Sequence, residues 1–215
     1  MSRYKLCIAD WNGTLQDDLH HIYECGVQRI FRHFGLRCPT MDEYRNEVTA
    51  DFMQFYWAHG IPRDVTAKDL NAIMAEGFKE KGAPPGVFPD ALAAVQDVRA
   101  YGCEVTLVSG YDGAKLKAAV ERNGFAPCFT AVLGDVRDKA AVFSALMAER
   151  GLKPADVFIV GDTVEDAQAA AAIGASAYIC TRGFHTRERI QELCGGQPLL
   201  TLIQTLGELL PRLPC

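Results

Sequence analysis

No stretch of this 215-residue chain approaches the ~18 consecutive apolar residues of a membrane span. Nor does the start read as a secretory leader, because Met-Ser-Arg-Tyr-Lys passes straight into a strand-like segment; a cytoplasmic protein without a membrane partner is expected. An excess of positive charge is missing too. At a net charge of −5 the chain lacks the basic surface that nucleic acid demands, and no nucleic-acid partner is expected. Closely spaced cysteine pairs are also absent. Eight cysteines are present, yet no two stand nearer than 13 positions apart, which excludes C-x-x-C zinc and redox motifs. Several lie inside apolar runs (Cys7, Cys103, Cys180), where a thiol behaves as a small hydrophobe. Internal repeats and low-complexity tracts are lacking.

What is there is an ordinary globular balance, 49% hydrophobic and 23% charged, in a length that fits one large domain or a core with a smaller companion. Segments 4–9, 104–108, 131–133, 157–160 and 176–180 read as short buried strands. Helical patterns lie between them at 89–101, 113–123, 139–150 and 165–173, each followed at once by a glycine: Gly102, Gly124, Gly151 and Gly174. Alternating strands and helices predict an α/β fold with a doubly wound parallel sheet, whose doubly covered strands are continuously apolar.

Residues 16–86 break this rhythm. They contain no convincing strand and three helical patterns, at 20–34, 41–57 and 67–81, and they end in the turn-rich Gly82-Ala83-Pro84-Pro85-Gly86. The expected organisation is a core split in sequence, 1–15 and 87–215, with a helical cap, 16–86, inserted above the end of the first strand. A closing amphipathic helix is expected over 199–210.

Three apolar segments end alike. Cys7-Ile8-Ala9 gives way to Asp10-Trp11-Asn12-Gly13-Thr14-Leu15, Leu107-Val108 to Ser109-Gly110, and Phe158-Ile159-Val160 to Gly161-Asp162-Thr163-Val164-Glu165-Asp166. In an open parallel sheet such strand ends gather where ligands bind. Asp10, Asp162, Asp166, Ser109 and the helix-opening Lys139 are therefore expected to share one crevice. That combination suits a divalent cation and a phosphate.

These segments resemble the motifs of the haloacid dehalogenase superfamily, most nearly its phosphoglycolate phosphatase-like members with a helical cap after the first motif. The family's Asp-x-Asp-Gly-Thr-Leu is matched by residues 10–15, its strand-terminal Ser or Thr by Ser109, its lysine by Lys139, and its Gly-Asp-Thr-x-x-Asp by residues 161–166. The resemblance implies Mg2+-dependent hydrolysis of a small phosphorylated metabolite by a monomer or homodimer. It makes Asp10 the nucleophile that becomes an aspartyl-phosphate. Asp10, Asp162, Asp166 and the backbone carbonyl of Asn12 become metal ligands, with Asp166 acting directly or one layer back. Ser109 and Lys139 become phosphate holders, helped by amides at Trp11 and Gly110.

One residue departs from the pattern. Asn12 stands where the resembling phosphatases carry a second aspartate that protonates the leaving oxygen and activates water. An amide cannot shuttle a proton, and such help is worth roughly 10²–10⁴ in rate. The alternatives are a slow phosphatase, one acting on acyl or aryl phosphates, an acid from elsewhere, or a phosphate-binding relative without turnover. A phosphonoacetaldehyde hydrolase-like reaction fits Trp11, but it needs a cap lysine and none lies between residues 16 and 67. Other features read as ordinary. His20-His21 would be exposed or packed in the cap, Asp17 and Asp18 would cap its first helix, and Phe52, Phe55, Tyr56 and Trp57 would form its core. Arg182, Arg187 and Arg189, with His185, would form a solvated basic edge, and Lys115 is a distant substitute for Lys139.

Overall fold

The computed structural model describes residues 4–214. It divides into two compact units: one runs to Gln16 and resumes at Val87, the other is Asp17–Gly86. In chain order, β1 (Leu6–Ala9) precedes the helices of the second unit, α1 (Leu19–Ile22), α2 (Gln28–His33), α3 (Met41–Glu47), α4 (Phe52–Ala58) and α5 (Ala67–Lys81). The first unit then continues with α6 (Ala91–Ala100), β2 (Glu104–Val108), α7 (Gly113–Arg122), β3 (Ala131–Leu133) and α8 (Lys139–Glu149). It closes with β4 (Val157–Gly161), α9 (Val164–Ala172), β5 (Ser176–Cys180), α10 (Arg187–Cys194) and β6 (Leu200–Ile203).

The six strands form one parallel sheet in the order β3-β2-β1-β4-β5-β6. Alternate residues of each strand face opposite layers. Cys7, Ala9, Phe158, Val160, Tyr178 and Cys180 pack on one side with α6, α7 and the C-terminal Leu206 and Leu209. Leu6, Ile8, Val157, Ile159, Ala177 and Ile179 pack on the other with α8, α9 and α10. Covering both faces is why the strands read as unbroken apolar runs. Each fully buried side chain such as Phe158 or Ile8 contributes about 1.5–3 kcal/mol. The four helix-ending glycines all adopt positive φ, from 61° to 102°.

The chain leaves β1 for β2 and β3 on one side, then crosses to β4, β5 and β6 on the other. The switch point lies between β1 and β4, where the loops diverge and leave a crevice at the strand ends.

The helical unit holds an aromatic core. Phe31, Tyr44, Phe55 and Tyr56 are buried; Phe31 meets Phe55 edge-on at 6.2 Å, and Tyr44 meets Phe55 at 5.2 Å. Phe52 and Trp57 are partly buried at its margin, with Arg63 lying 4.9 Å over the Trp57 ring. Thr66 and Asp69 form the capping box that starts α5.

Several expectations need correction. The segment 199–210 is no helix: β6 pairs with β5 from Ala177↔Leu200 to Cys180↔Ile203, followed by short 3₁₀ turns at Leu206–Glu208 and Leu210–Arg212. Its apolar spacing fits both periods, and an open sheet edge beside β5 decides the matter. The pattern at 20–34 is interrupted by a π turn at Tyr23–Val27. The one at 41–57 splits because Val48 is extended (ψ 143°) and Asp51 re-initiates the chain, its carboxylate accepting from Gln54. Asp18 precedes α1 but makes no side-chain cap bond. The basic edge is not solvated either. His185 is buried, Arg187 and Arg189 are partly buried, and Arg182 donates twice to Asp90, at 2.7 and 3.2 Å, while lying 3.8 Å over the Phe88 ring.

Candidate active site

Asp10, Ser109 and Asp162 each follow directly on a strand of the central trio β2-β1-β4. The sheet itself holds their backbones: Asp10 N–H donates to Val160 O at 2.9 Å, and Ser109 N–H to Leu133 O at 2.9 Å. Lys139 opens α8, where Asp138 caps the first turn through Ala141 N–H at 3.0 Å. From there the lysine reaches across the strand ends. Its Nζ lies 3.0 Å from Asp10 Oδ1 and 2.6 Å from Asp166 Oδ1. Lys115, by contrast, is exposed on α7.

Asp166 has two tasks, one for each oxygen. Oδ2 accepts from Thr163 Oγ1 at 2.6 Å and from the amides of Thr163 and Asp162 at 3.2 and 3.3 Å, closing the capping box that starts α9. Oδ1 turns to Lys139. Asp162 is equally fixed, with Thr14 Oγ1 donating to Oδ1 at 2.8 Å and Phe184 N–H to Oδ2 at 2.6 Å. The backbone comes so close to this carboxylate that a Cβ at Gly13 or Gly183 would collide with Oδ2, and Gly13 also needs its φ of +69°.

Carboxylate oxygens of Asp10, Asp162 and Asp166 lie within 4.8 Å of one another, all buried, and they are the one such cluster among the described residues. Burial pushes Asp10 up to about 6, the Lys139 ammonium pulling against it and Asp166 adding to the rise. Burial, then Asp10 and Asp166, raises Asp162 well above the usual carboxylate range. Burial acts on Asp166 as well, but Lys139 and the Thr163 donors outweigh it and hold that carboxyl low. Burial would lower Lys139, yet Asp10 and Asp166 more than reverse this and fix it as the ammonium.

Two causes act together, burial first and the balance of charge second: three buried carboxylates share a single ammonium, so full ionisation leaves two negative charges uncompensated. A divalent cation removes that excess, and an all-oxygen donor set is what Mg2+ prefers. The residues present fit the ion.

Ser109 is buried; its Oγ accepts from Tyr111 N–H at 3.3 Å and donates to Asn12 Oδ1 at 3.5 Å. Asn12 Nδ2 donates to Gln16 Oε1 at 3.3 Å, so the amide turns its hydrogens toward Gln16 and its oxygen toward Ser109. Trp11 divides its roles. Its amide donates to the Asp10 carboxyl, while its ring is fully buried, edge-on to Phe125 at 5.6 Å. Gly110 begins the exposed loop after β2. Every residue singled out from the sequence for this site thus lies in the first unit at the β3-to-β4 strand ends.

A family model of the haloacid dehalogenase-like hydrolases matches residues 4–174. The chain belongs to that family. It is 27% identical over 129 residues to the phosphoglycolate phosphatase of Synechococcus elongatus; the match takes in 58% of this chain and spans about 61% of that curated relative's length. Among solved structures it is similar to a predicted phosphatase from Clostridium acetobutylicum, at a TM-score of 0.76 and 20% identity over 98% of both chains. It is also similar to a predicted phosphoglycolate phosphatase from Haemophilus somnus 129PT, at 0.75 and 16% over 98% of both chains. At those identities the two structures speak for the family's fold. No helix among the described residues is long and apolar enough to cross a membrane.

Sequence reasoning passed over the residues that hold this family's motifs in place. Thr14 and Phe184 position Asp162, Gln16 orients Asn12, and the buried His185 accepts from Val164 N–H through Nδ1 at 2.9 Å, at the start of α9. The loop 181–186 was detectable in principle, since β5 ends at the same edge as β1, β2 and β4, and the strand-end rule applies to it equally.

Proposed function

We propose that this protein is a Mg2+-dependent phosphatase that cleaves a small phosphorylated metabolite by forming an aspartyl-phosphate on Asp10. The observation that carries this reading is the position of Lys139 between Asp10 and Asp166, beside the buried Asp162. The arrangement pairs a nucleophilic carboxylate with a fixed positive charge at the place where phosphoryl oxygens gain charge. Asp10, Asp162 and the Asn12 carbonyl would hold the ion, with Asp166 acting directly or one layer back; when bound, the ion supplies charge neutralisation for the phosphoryl group. An Asp10 oxygen attacks phosphorus and the bond to the leaving oxygen breaks, that oxygen keeping the electron pair. Water then attacks phosphorus, Asp10 departs as carboxylate, and the protons of the water end on phosphate. Ser109 and Lys139 orient the phosphoryl group in both steps. Residues 17–86 act as the cap that selects the substrate.

Asn12 sets the scope of the reaction. A carboxamide at position 12 cannot give up a proton, so leaving groups that depart unprotonated, such as acyl and aryl phosphates, are favoured over alkyl ones. The same observation favours a second reading, a regulatory relative that binds phosphate compounds without turnover. The C–P hydrolase alternative is less favoured, because residues 16–67 hold no lysine and those of the second unit, Lys68, Lys79 and Lys81, all lie on α5.

The test is Mg2+-dependent phosphate release from a panel of alkyl, aryl and acyl phosphates, with Asp10→Ala as control. Activity that depends on Asp10 and prefers aryl or acyl esters supports the phosphatase. Silence across the panel, from a folded protein that still binds Mg2+, moves the assignment to the binding role.

A further inference from the structure

Among the described residues, Asp135 is the one non-glycine with φ in the left-handed region, at 57°. Aspartate and asparagine tolerate that conformation better than other side chains, but it remains uncommon and asks for a reason. Asp135 is exposed, in the loop between β3 and α8, so burial is not the reason. Its hydrogen bonds supply one.

The loop 134–138 is laced to the loop 109–112 that follows β2. Val136 N–H donates to Ser109 O at 3.1 Å, and Asp135 N–H to Tyr111 O at 2.8 Å. The Asp135 side chain adds a further tie: Oδ2 accepts from Gly113 N–H at 3.1 Å. Gly113 is the first residue of α7, and its N–H is one of the donors a helix leaves without an internal partner. The left-handed turn at 135 is what directs both the amide and the carboxylate of one residue back at the neighbouring loop. The two backbones run so close that a Cβ at Gly134 would meet Gly113 Cα. One of these loops begins with Ser109 and Gly110; the other ends at Lys139.

We propose that Asp135 is a positioning residue, which fixes the spacing between the Ser109–Gly110 loop and Lys139 and thereby sets the affinity for the phosphoryl group. This inference rests on the phosphatase reading of the pocket. Asp135 touches neither the carboxylate cluster nor the expected metal ligands, so its effect falls on phosphate and not on the ion.

The experiment compares full-length wild type with Asp135→Ala, Asp135→Asn and Asp135→Gly, all Mg2+-loaded. The probes are inorganic phosphate binding by calorimetry, steady-state kinetics on p-nitrophenyl phosphate, and Mg2+ affinity. Asp135→Ala keeps the strained backbone and loses the carboxylate bond. Phosphate Kd and KM should rise by up to about tenfold, the full worth of the one bond lost, with kcat and Mg2+ affinity within about twofold of wild type. Asp135→Asn retains an acceptor and a tolerance for positive φ, and should stay near wild type. Asp135→Gly relaxes the backbone without restoring the bond and should fall between them, which keeps the test open should the alanine variant fail to fold. Unchanged phosphate affinity in the alanine and glycine variants would overturn the proposal. So would parallel loss of Mg2+ and phosphate affinity, or failure of asparagine to rescue. A wild type that binds Mg2+ but neither binds phosphate nor cleaves the ester would instead remove the phosphatase reading, and the role of Asp135 with it.

Discussion

Asn12→Asp is the substitution that most sharply tests the chemistry. Asn12 lies two residues beyond Asp10, the proposed nucleophile, half-buried, with Oδ1 near Ser109 Oγ and Nδ2 donating to Gln16 Oε1 at 3.3 Å. A carboxylate fits the same volume, but it would face the Gln16 oxygen where the amide had donated. Rotation of the Gln16 amide by half a turn offers Nε2 instead and restores the pair, so the variant should fold. What changes is proton capacity. General acid–base help contributes roughly 10²–10⁴, which at about 1.36 kcal/mol per decade is about 2.7–5.4 kcal/mol off the barrier. That gain should appear in full for alkyl phosphates, whose alkoxide must be protonated as it leaves. It should fall away in kcat/KM for aryl and acyl phosphates, whose leaving oxygens need no proton; activation of water belongs to the second step and shows in kcat alone. The assay is kcat/KM across leaving groups of graded basicity, with melting temperature as the check on folding. A uniform gain across the series would refute the argument that Asn12 withholds an acid. Substantial wild-type activity on alkyl phosphates with no gain in the variant would mean that the proton comes from another group.

Further perturbations probe the packing and electrostatics around this site. Asp162→Asn removes a buried carboxylate that its neighbours destabilise, and its amide still suits the Phe184 N–H and Thr14 hydroxyl; the metal-free melting temperature should hold or rise by a few degrees, while Mg2+ ceases to raise it. A Mg2+ response equal to wild type would contradict the proposed ion site. Trp11→Phe removes an indole Nε1 that is buried without a hydrogen-bond partner; the relief of that group offsets lost contact area, so urea unfolding should shift by no more than about 1 kcal/mol, against about 3–5 kcal/mol for Trp11→Ala. Burial pushes the Asp90 carboxyl up, but Arg182 and the Leu206 and Gly207 amides outweigh it and hold it below the usual range. A depressed folded-state pKa contributes stability above the unfolded value near 3.8 and loses it as pH falls through the folded one. Asp90→Asn should therefore cost about 2 kcal/mol at pH 7, by denaturant unfolding, and the deficit should shrink as pH falls below the unfolded value near 3.8; a deficit independent of pH would refute the ionic account.

Much of this arrangement is legible from sequence because parallel strands covered on both faces must be apolar throughout. The residue at which polarity returns therefore marks the strand's end. Asp10, Ser109 and Asp162 are read that way, and each follows its strand directly. Lys139 is legible through the resemblance, as the best match to the family's lysine at the opening of a helix. What escapes the reading depends on partners far away in sequence. Leu200–Ile203 carries an apolar spacing that suits either period, and only the free edge of β5 makes it a strand. Arg182 looks solvated until Asp90, 92 positions earlier, folds against it. Gln16 gives no local sign that it orients Asn12, and the left-handed turn at Asp135 follows from a contact with α7.

Asp166 shows why structural and functional readings of one residue need not compete. As a helix-capping aspartate it would be satisfied by Thr163 alone, and as a member of a charged cluster it would be satisfied by Lys139. It does both, because a carboxylate has two oxygens and α9 begins where β4 ends. Oδ2 is saturated by three donors, which locks the side chain and aims Oδ1 at the crevice. The cap therefore places the charge with a precision that an unbonded side chain would lack. Because Oδ1 already lies 2.6 Å from the Lys139 ammonium, any cation or phosphoryl group entering the site must compete with that ion pair. Lys139 is thus both the counter-charge that makes three buried carboxylates tolerable and the group whose contacts must be shared when the site is filled.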